Sequence, residues 1–169
     1  MASPTAVPKA SLLGAYARKG AFTDCYSTSV AGQITLAEFI FAFYTTPLFK
    51  VERWLLSKAL NIASTDQQAL ELADSNTQRF SAWKVEGRSA DEILLDAGQT
   101  RSWLSIKPQV GSDSSTTLLF GSAVVSMRPS GKFGLAFHAL GGFHRVYSKL
   151  LLTAASRRVV ALRNTQSAS

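Results

Sequence analysis

The sequence predicts an α+β domain: a curved antiparallel sheet gripping a long C-terminal helix, with a helix pair inserted after the first strand. Three observations predict it. From about residue 79 onward, several segments of strand composition follow one another with short turn-like connections, the pattern of an antiparallel meander. Two segments of helical period stand ahead of them, parted by Pro47 and preceded by one alternating strand. After the meander, "GGFHRVYSKLLLTAASRR" repeats apolar residues at helical spacing almost to the end of the chain.

Taken in order, residues 1–19 read as a flexible lead, because Pro4 and Pro8 discourage regular structure. "AFTDCYSTSV" sets Phe22, Asp24 and Tyr26 against Thr23, Cys25 and Ser27, a half-buried strand. "TLAEFIFAFYTT" is a helix whose cap is Thr35, with Glu38 three residues on to complete a capping box. Leu36, Phe39, Ile40 and Phe43 form its buried stripe, and its other sides are apolar enough to place it between layers. "LFKVERWLLSKAL" is a second helix with Leu48, Val51 and Leu55 on one face, and Ser64 or Thr65 caps a short third helix ending near Asp74.

The period then changes. "RFSAWKVEGR", "DEILLDAG", "TRSWLSIKPQV" and "TTLLFGSAVVSMR" are the strands of the meander, and Gly121 in the last of them marks a bulge or a close approach. In the final helix, expected from Phe143 to about Leu162, the repeat picks out Phe143, Val146, Tyr147, Leu150, Leu151 and Ala154 as the buried stripe. Gly141 and Gly142 argue against its extending further back. The folded unit is thus residues 20–162, with 163–169 a loose tail.

Composition narrows the class. With 46% hydrophobic and 17% charged residues over 169, the chain is globular rather than disordered. No apolar run approaches the roughly 20 residues of a spanning helix, and the start lacks the charged-then-apolar form of a signal peptide, so a cytoplasmic location is expected. A single cysteine, Cys25, leaves no internal disulfide, and Asp24 beside it works against an activated thiolate. Residues 1–113 carry 11 basic and 11 acidic side chains; residues 114–169 carry 7 basic and none acidic. The whole net charge of +7 therefore lies in the last third, where it either complements a helix terminus or attracts an anionic partner.

No chemical motif stands out. His138 and His144 are six apart rather than at the i, i+4 spacing of a helical metal pair, and no acidic residue follows Asp113, so no metal and no cofactor are expected. There is no nucleophile elbow and no phosphate loop. Asp91 and Glu92, being adjacent, point to opposite faces of a strand. Arg101, Trp103, Ser105 and Lys107 share one strand face, so a base-stacking platform is conceivable. A sheet curled around the last helix uses such aromatics to line a pocket instead, which disfavours nucleic acid.

"FTDCYST", "DEILLDAGQTRSWLSI" and "GGFHRVYSKLLLTAASRR", in that order and with the helix pair around Pro47, resemble the DUF2867-type bacterial proteins. Those are similar to the wider START/Bet v 1-like group, the helix-grip or SRPBCC fold. The resemblance spans roughly residues 20–160 and implies a fold with a cavity, and no catalytic residues. The expected function is a non-enzymatic one: binding a small hydrophobic or amphipathic ligand between sheet and C-terminal helix. The expected lining is Trp83, Trp103, Phe120, Phe143 and Tyr147, with Arg101 and His144 as polar anchors. Two alternatives stand beside it. One is a cyclase, hydratase or isomerase working in the same cavity; the other is an anionic-lipid or nucleic-acid surface binder using the basic last third, touching a membrane surface without spanning it.

Overall fold

The computed structural model describes residues 1–60, 64–109, 111, 114–125 and 135–166. The side chains of 55–57, 59–60, 135–144 and 166 lie outside the description. The elements are β1 (Ser3–Pro4), α1 (Leu12–Arg18), β2 (Phe22–Ala31), α2 (Leu36–Tyr44), α3 (Pro47–Leu60) and α4 (Asp66–Ala73), then β3 (Arg79–Phe80), β4 (Trp83–Arg88), β5 (Glu92–Ala97), β6 (Thr100–Gln109), β7 (Ser115–Val124) and α5 (Leu135–Gln166). The strands form one antiparallel sheet in the order β1-β2-β7-β6-β5-β4-β3. The long strand that opens the domain thus pairs with the last strand of the meander, and α2, α3 and α4 are inserted between them. This is the α+β arrangement expected, with α5 packed against the sheet.

Local chemistry explains the helix starts. Thr35 Oγ1 accepts the Glu38 N–H at 3.2 Å, and a Glu38 carboxylate oxygen accepts the Thr35 N–H at 2.7 Å, so two orphan donors of α2 are satisfied together. Thr65 and Gln68 repeat the arrangement at α4. The helix α2 lies between α4, α5 and β6, and Phe39, Ile40, Phe43 and Tyr44 are all fully buried. Tyr44, placed off the stripe by the sequence pattern, is buried because neighbours cover that side too.

The sheet is covered on both faces. Leu104, Leu118, Phe120, Ile93 and Leu95 meet the α2–α5 layer, while Trp103, Leu94, Leu119, Cys25 and Ala123 form a second small core with Leu13 of α1. The expectation of a flexible lead over 1–19 is therefore corrected. Ser3 and Pro4 pair with Ser27 and Tyr26, and Ser11 caps α1 by accepting the Gly14 N–H at 3.0 Å. Leu13 is then driven under the sheet by its own burial. Gly121 is the close-approach point: a Cβ there would stand 2.5 Å from a Leu13 methyl and 2.8 Å from the Asp24 carbonyl oxygen. The bulge lies elsewhere, between Val85 and Gly87.

The register of two helices differs from the expected one. Among the described side chains of α5 the buried ones are Ser148, Leu151, Leu152, Ala155, Ser156 and Val159, whereas Val146 and Leu150 are 59% and 56% exposed. The stripe is rotated by about one position from that expected, since three consecutive leucines, 150–152, satisfy either choice. In α3 the inward residues are Phe49 and Arg53, and Val51 is exposed. Arg53 is drawn in by polar partners: it donates to Ser64 Oγ at 2.9 Å and Asp66 at 2.8 Å, and lies over the Phe80 ring. Gly141 and Gly142 do not end α5; each glycine costs about 1 kcal/mol relative to alanine, a penalty that a helix of this length absorbs.

The basic last third is partly structural. Arg158 donates to Thr45 Oγ1 at 2.7 Å and Arg163 to Glu38 at 2.7 Å, both joining α5 to α2. Arg145, Lys149 and Arg157 are exposed. Among the described residues no helix is long and apolar enough to cross a membrane.

Candidate ligand-binding site

Sheet alternation and helix register together leave a gap. On the inner face, Phe22 of β2, Ser102 of β6, and Phe120 and Ser122 of β7 point toward α5 and α3, while Phe43 and Phe49 close the far side. The result is a cavity of about 360 Å³, within the range of about 300–1,000 Å³ usual for small-molecule sites. Its walls are mainly rings: Phe43 and Phe120 pack tilted at 4.8 Å, Phe49 and Trp83 tilted at 5.3 Å, and Tyr44 backs the wall edge-on to Phe49 at 4.8 Å.

Of the residues expected to form the site, the structure brings together Trp83, Phe120 and Tyr147, which all line this cavity. Arg101 borders it, but its guanidinium is turned to the opposite face. There it pairs with Glu86 at 2.5 Å and Asp96 at 2.7 Å, and donates to the Tyr16 hydroxyl of α1 at 2.9 Å. That corrects its expected role as an anchor. Trp103 is corrected as well. It shares the face of Arg101, is buried against Leu13, and donates from its indole N–H to Glu92 at 2.6 Å. The side chains of Phe143 and His144, like that of His138, lie outside the described residues.

Sequence reasoning missed the polar groups that do reach the cavity. Glu52 of α3 lines it and accepts a short hydrogen bond from the Tyr147 hydroxyl. Burial holds the Tyr147 phenol well above its usual pKa, and the charge of Glu52 and their hydrogen bond push it the same way, so Tyr147 remains the donor. Ser102 lines the cavity beside the Tyr44 hydroxyl. No hydrogen bond forms between them, and the fully buried Tyr44 oxygen is left unsatisfied. Burial holds the Tyr44 phenol well above its usual pKa, and the charge of Glu52 pushes it the same way.

At the sheet side, Asp24 accepts from the Ser122 hydroxyl at 2.7 Å and the Ser122 N–H at 3.1 Å. Tyr26 on the same strand face has its pKa pushed up to about 12 by burial and by Asp24, against the opposing charge of Arg145. A signal for Asp24 existed: it sits on the strand face of two inward aromatics, Phe22 and Tyr26. Glu52 had none, because the α3 register was assigned to Val51.

Cys25 lies on the far face, and burial first, then Asp24, push its thiol up to about 12, so it takes no part in the site. Among the described residues no group of three or more His, Cys, Asp or Glu side chains is placed to hold a metal ion. Comparison with protein-family models, with curated proteins and with solved structures finds no match for this chain.

Proposed function

We propose that this protein binds a small hydrophobic or amphipathic ligand in the cavity between its sheet and α5, without transforming it. The observation that carries the reading is the cavity itself: about 360 Å³, ringed by Phe43, Phe49, Trp83 and Phe120, with few polar groups among the lining. A core free to collapse would close such a gap, because interiors pack at crystal-like density. The element order, with helices inserted after the first long strand and that strand paired to the last, supports a START/Bet v 1-like relationship.

The test is a titration with 1-octanol followed by tryptophan fluorescence, since Trp83 lies in the wall. Binding should saturate and vary little between low and high salt. Ser102→Phe, which fills the cavity, should abolish it. Saturable binding that survives Ser102→Phe would contradict the reading.

One surface favours a second reading. Val51 and Trp54 on α3 and Val146 and Leu150 on α5 are exposed large apolar residues, and α3 and α5 are joined by the Glu52–Tyr147 bond at the cavity. Arg145 and Lys149 stand exposed beside them. Apolar residues among cations suit the surface of an anionic bilayer. Sedimentation with phosphatidylserine vesicles should then be salt-sensitive and weakened by Val146→Asp with Leu150→Asp. Binding unaffected by both salt and these changes would remove this reading.

A further inference from the structure

We propose that the cavity selects a flat aromatic ligand of about two or three fused rings over a saturated or acyl-chain one. This rests on the ligand-binding reading and names the class of ligand.

The make-up of the wall leads to it. Among the described lining residues Phe22, Phe43, Phe49, Trp83, Phe120 and Tyr147 are aromatic, whereas Ala123, Val124 and Leu151 are aliphatic. Any apolar wall favours a saturated ligand in proportion to the area it buries. A wall of rings adds to this for another ring, because the negative face of one attracts the positive edge of the next in offset and edge-to-face contacts. An alkyl chain has no such charge distribution to match.

The second observation is that the wall is set by rings behind it. Tyr44, fully buried, stands edge-on to Phe43 at 5.2 Å and to Phe49 at 4.8 Å, with interplanar angles of 76° and 79°. Phe80, also buried, stacks on Trp83 at 6.3 Å and 24°. Neither Tyr44 nor Phe80 is among the described lining residues, so both press on the wall from outside the cavity. Within the wall, Phe43 and Phe120 are tilted by 46° and Phe49 and Trp83 by 45°, so neither pair closes face to face on itself. Rings held by packing spare a ligand the entropy of ordering them, and a rigid ligand has few torsions of its own to freeze.

Size sets the ring count. A dry cavity of about 150 Å³ holds one benzene ring. This one, at about 360 Å³, has room for a second and a third fused to it.

The test compares 2-naphthol with decahydro-2-naphthol, which has the same carbon skeleton and hydroxyl but no aromatic ring, and with 1-octanol, by calorimetry at pH 7. The saturated bicycle is the bulkier and more apolar, so burial alone favours it over 2-naphthol. 2-Naphthol should nevertheless bind at least about 10-fold more tightly than either of the others. Phe49→Leu and Phe120→Leu each keep an apolar side chain in the wall. Each should cut the preference for 2-naphthol by about threefold or more and leave decahydro-2-naphthol within about twofold, and either supplies the test if the other does not fold. Ser102→Phe, by filling the cavity, should abolish binding of all three. 2-Naphthol binding that survives Ser102→Phe would place the ring elsewhere, as on the exposed Trp54, and overturn the inference. Decahydro-2-naphthol or 1-octanol binding as tightly as 2-naphthol, or a preference unchanged in both leucine variants, would overturn it and leave the ligand-binding reading standing. If none of the three binds, both readings fall.

Discussion

Leu152→Ala should destabilise the protein strongly, and Leu150→Ala, two positions away on the same helix, should not. Leu152 is completely buried between α5 and the rest of the core, whereas Leu150 is 56% exposed. Truncating a buried leucine removes its transfer free energy and leaves a void, for a cost of about 2–5 kcal/mol. Taking about 3 kcal/mol, a domain of this size loses about 6–12 °C in Tm. The exposed site should stay within about 0.5 kcal/mol. Leu151 is buried but borders the existing cavity, so its truncation enlarges a gap already present and should fall near the lower end, about 2 kcal/mol. Urea denaturation of the three variants, with thermal melts beside it, gives the order. Leu150→Ala costing as much as Leu152→Ala would refute the helix register, and with it the placement of Tyr147 in the cavity.

Other outcomes follow from single contacts. Gly121→Ala should cost about 1–3 kcal/mol, because its methyl would collide with Leu13 and the Asp24 carbonyl; an unchanged urea midpoint would mean that α1 is not docked there. Burial alone would raise the Asp66 pKa, but hydrogen bonds and charge from Lys50 and Arg53 outweigh it and hold the carboxyl below its usual value. A depressed folded-state pKa stabilises above the unfolded value of about 4 and is lost as pH falls through the folded one. Acid unfolding should therefore be less steep below about pH 4 in Asp66→Asn, and an identical profile would contradict the ion pair. Cys25 should resist Ellman's reagent at pH 8 until the protein unfolds, since its thiol is buried with a pKa pushed up to about 12; rapid labelling of the native state would refute that burial.

Much of the fold was legible because local signals agreed with the global arrangement. Thr35 and Glu38 announced α2, Pro47 parted the two helices, and turn residues separated strands that then paired with their sequence neighbours. The site was less legible, for two physical reasons. Alternation along β6 groups Arg101 with Trp103 correctly but does not say which face of the sheet is concave. That is decided by α1, a seven-residue helix preceded by two prolines, whose strongest local mark is Ser11. Helical period likewise leaves a choice among Leu150, Leu151 and Leu152, and the curvature of the sheet makes it. The first ambiguity carries Arg101 out of the cavity, and the register of α3, assigned to Val51 in sequence, hides the approach of Glu52 to it.

The central claim is that the apolar gap under α5 is where a ligand goes. Methyl NMR of leucine- and valine-labelled protein during a 1-octanol titration tests it most directly. The cavity account predicts saturating shifts at Leu151 and Val124, which line the gap, and none at Leu13 or Leu119 behind the sheet. Shifts confined to the exposed Val146 and Leu150, with Leu151 and Val124 unmoved, would place binding on the surface and contradict it.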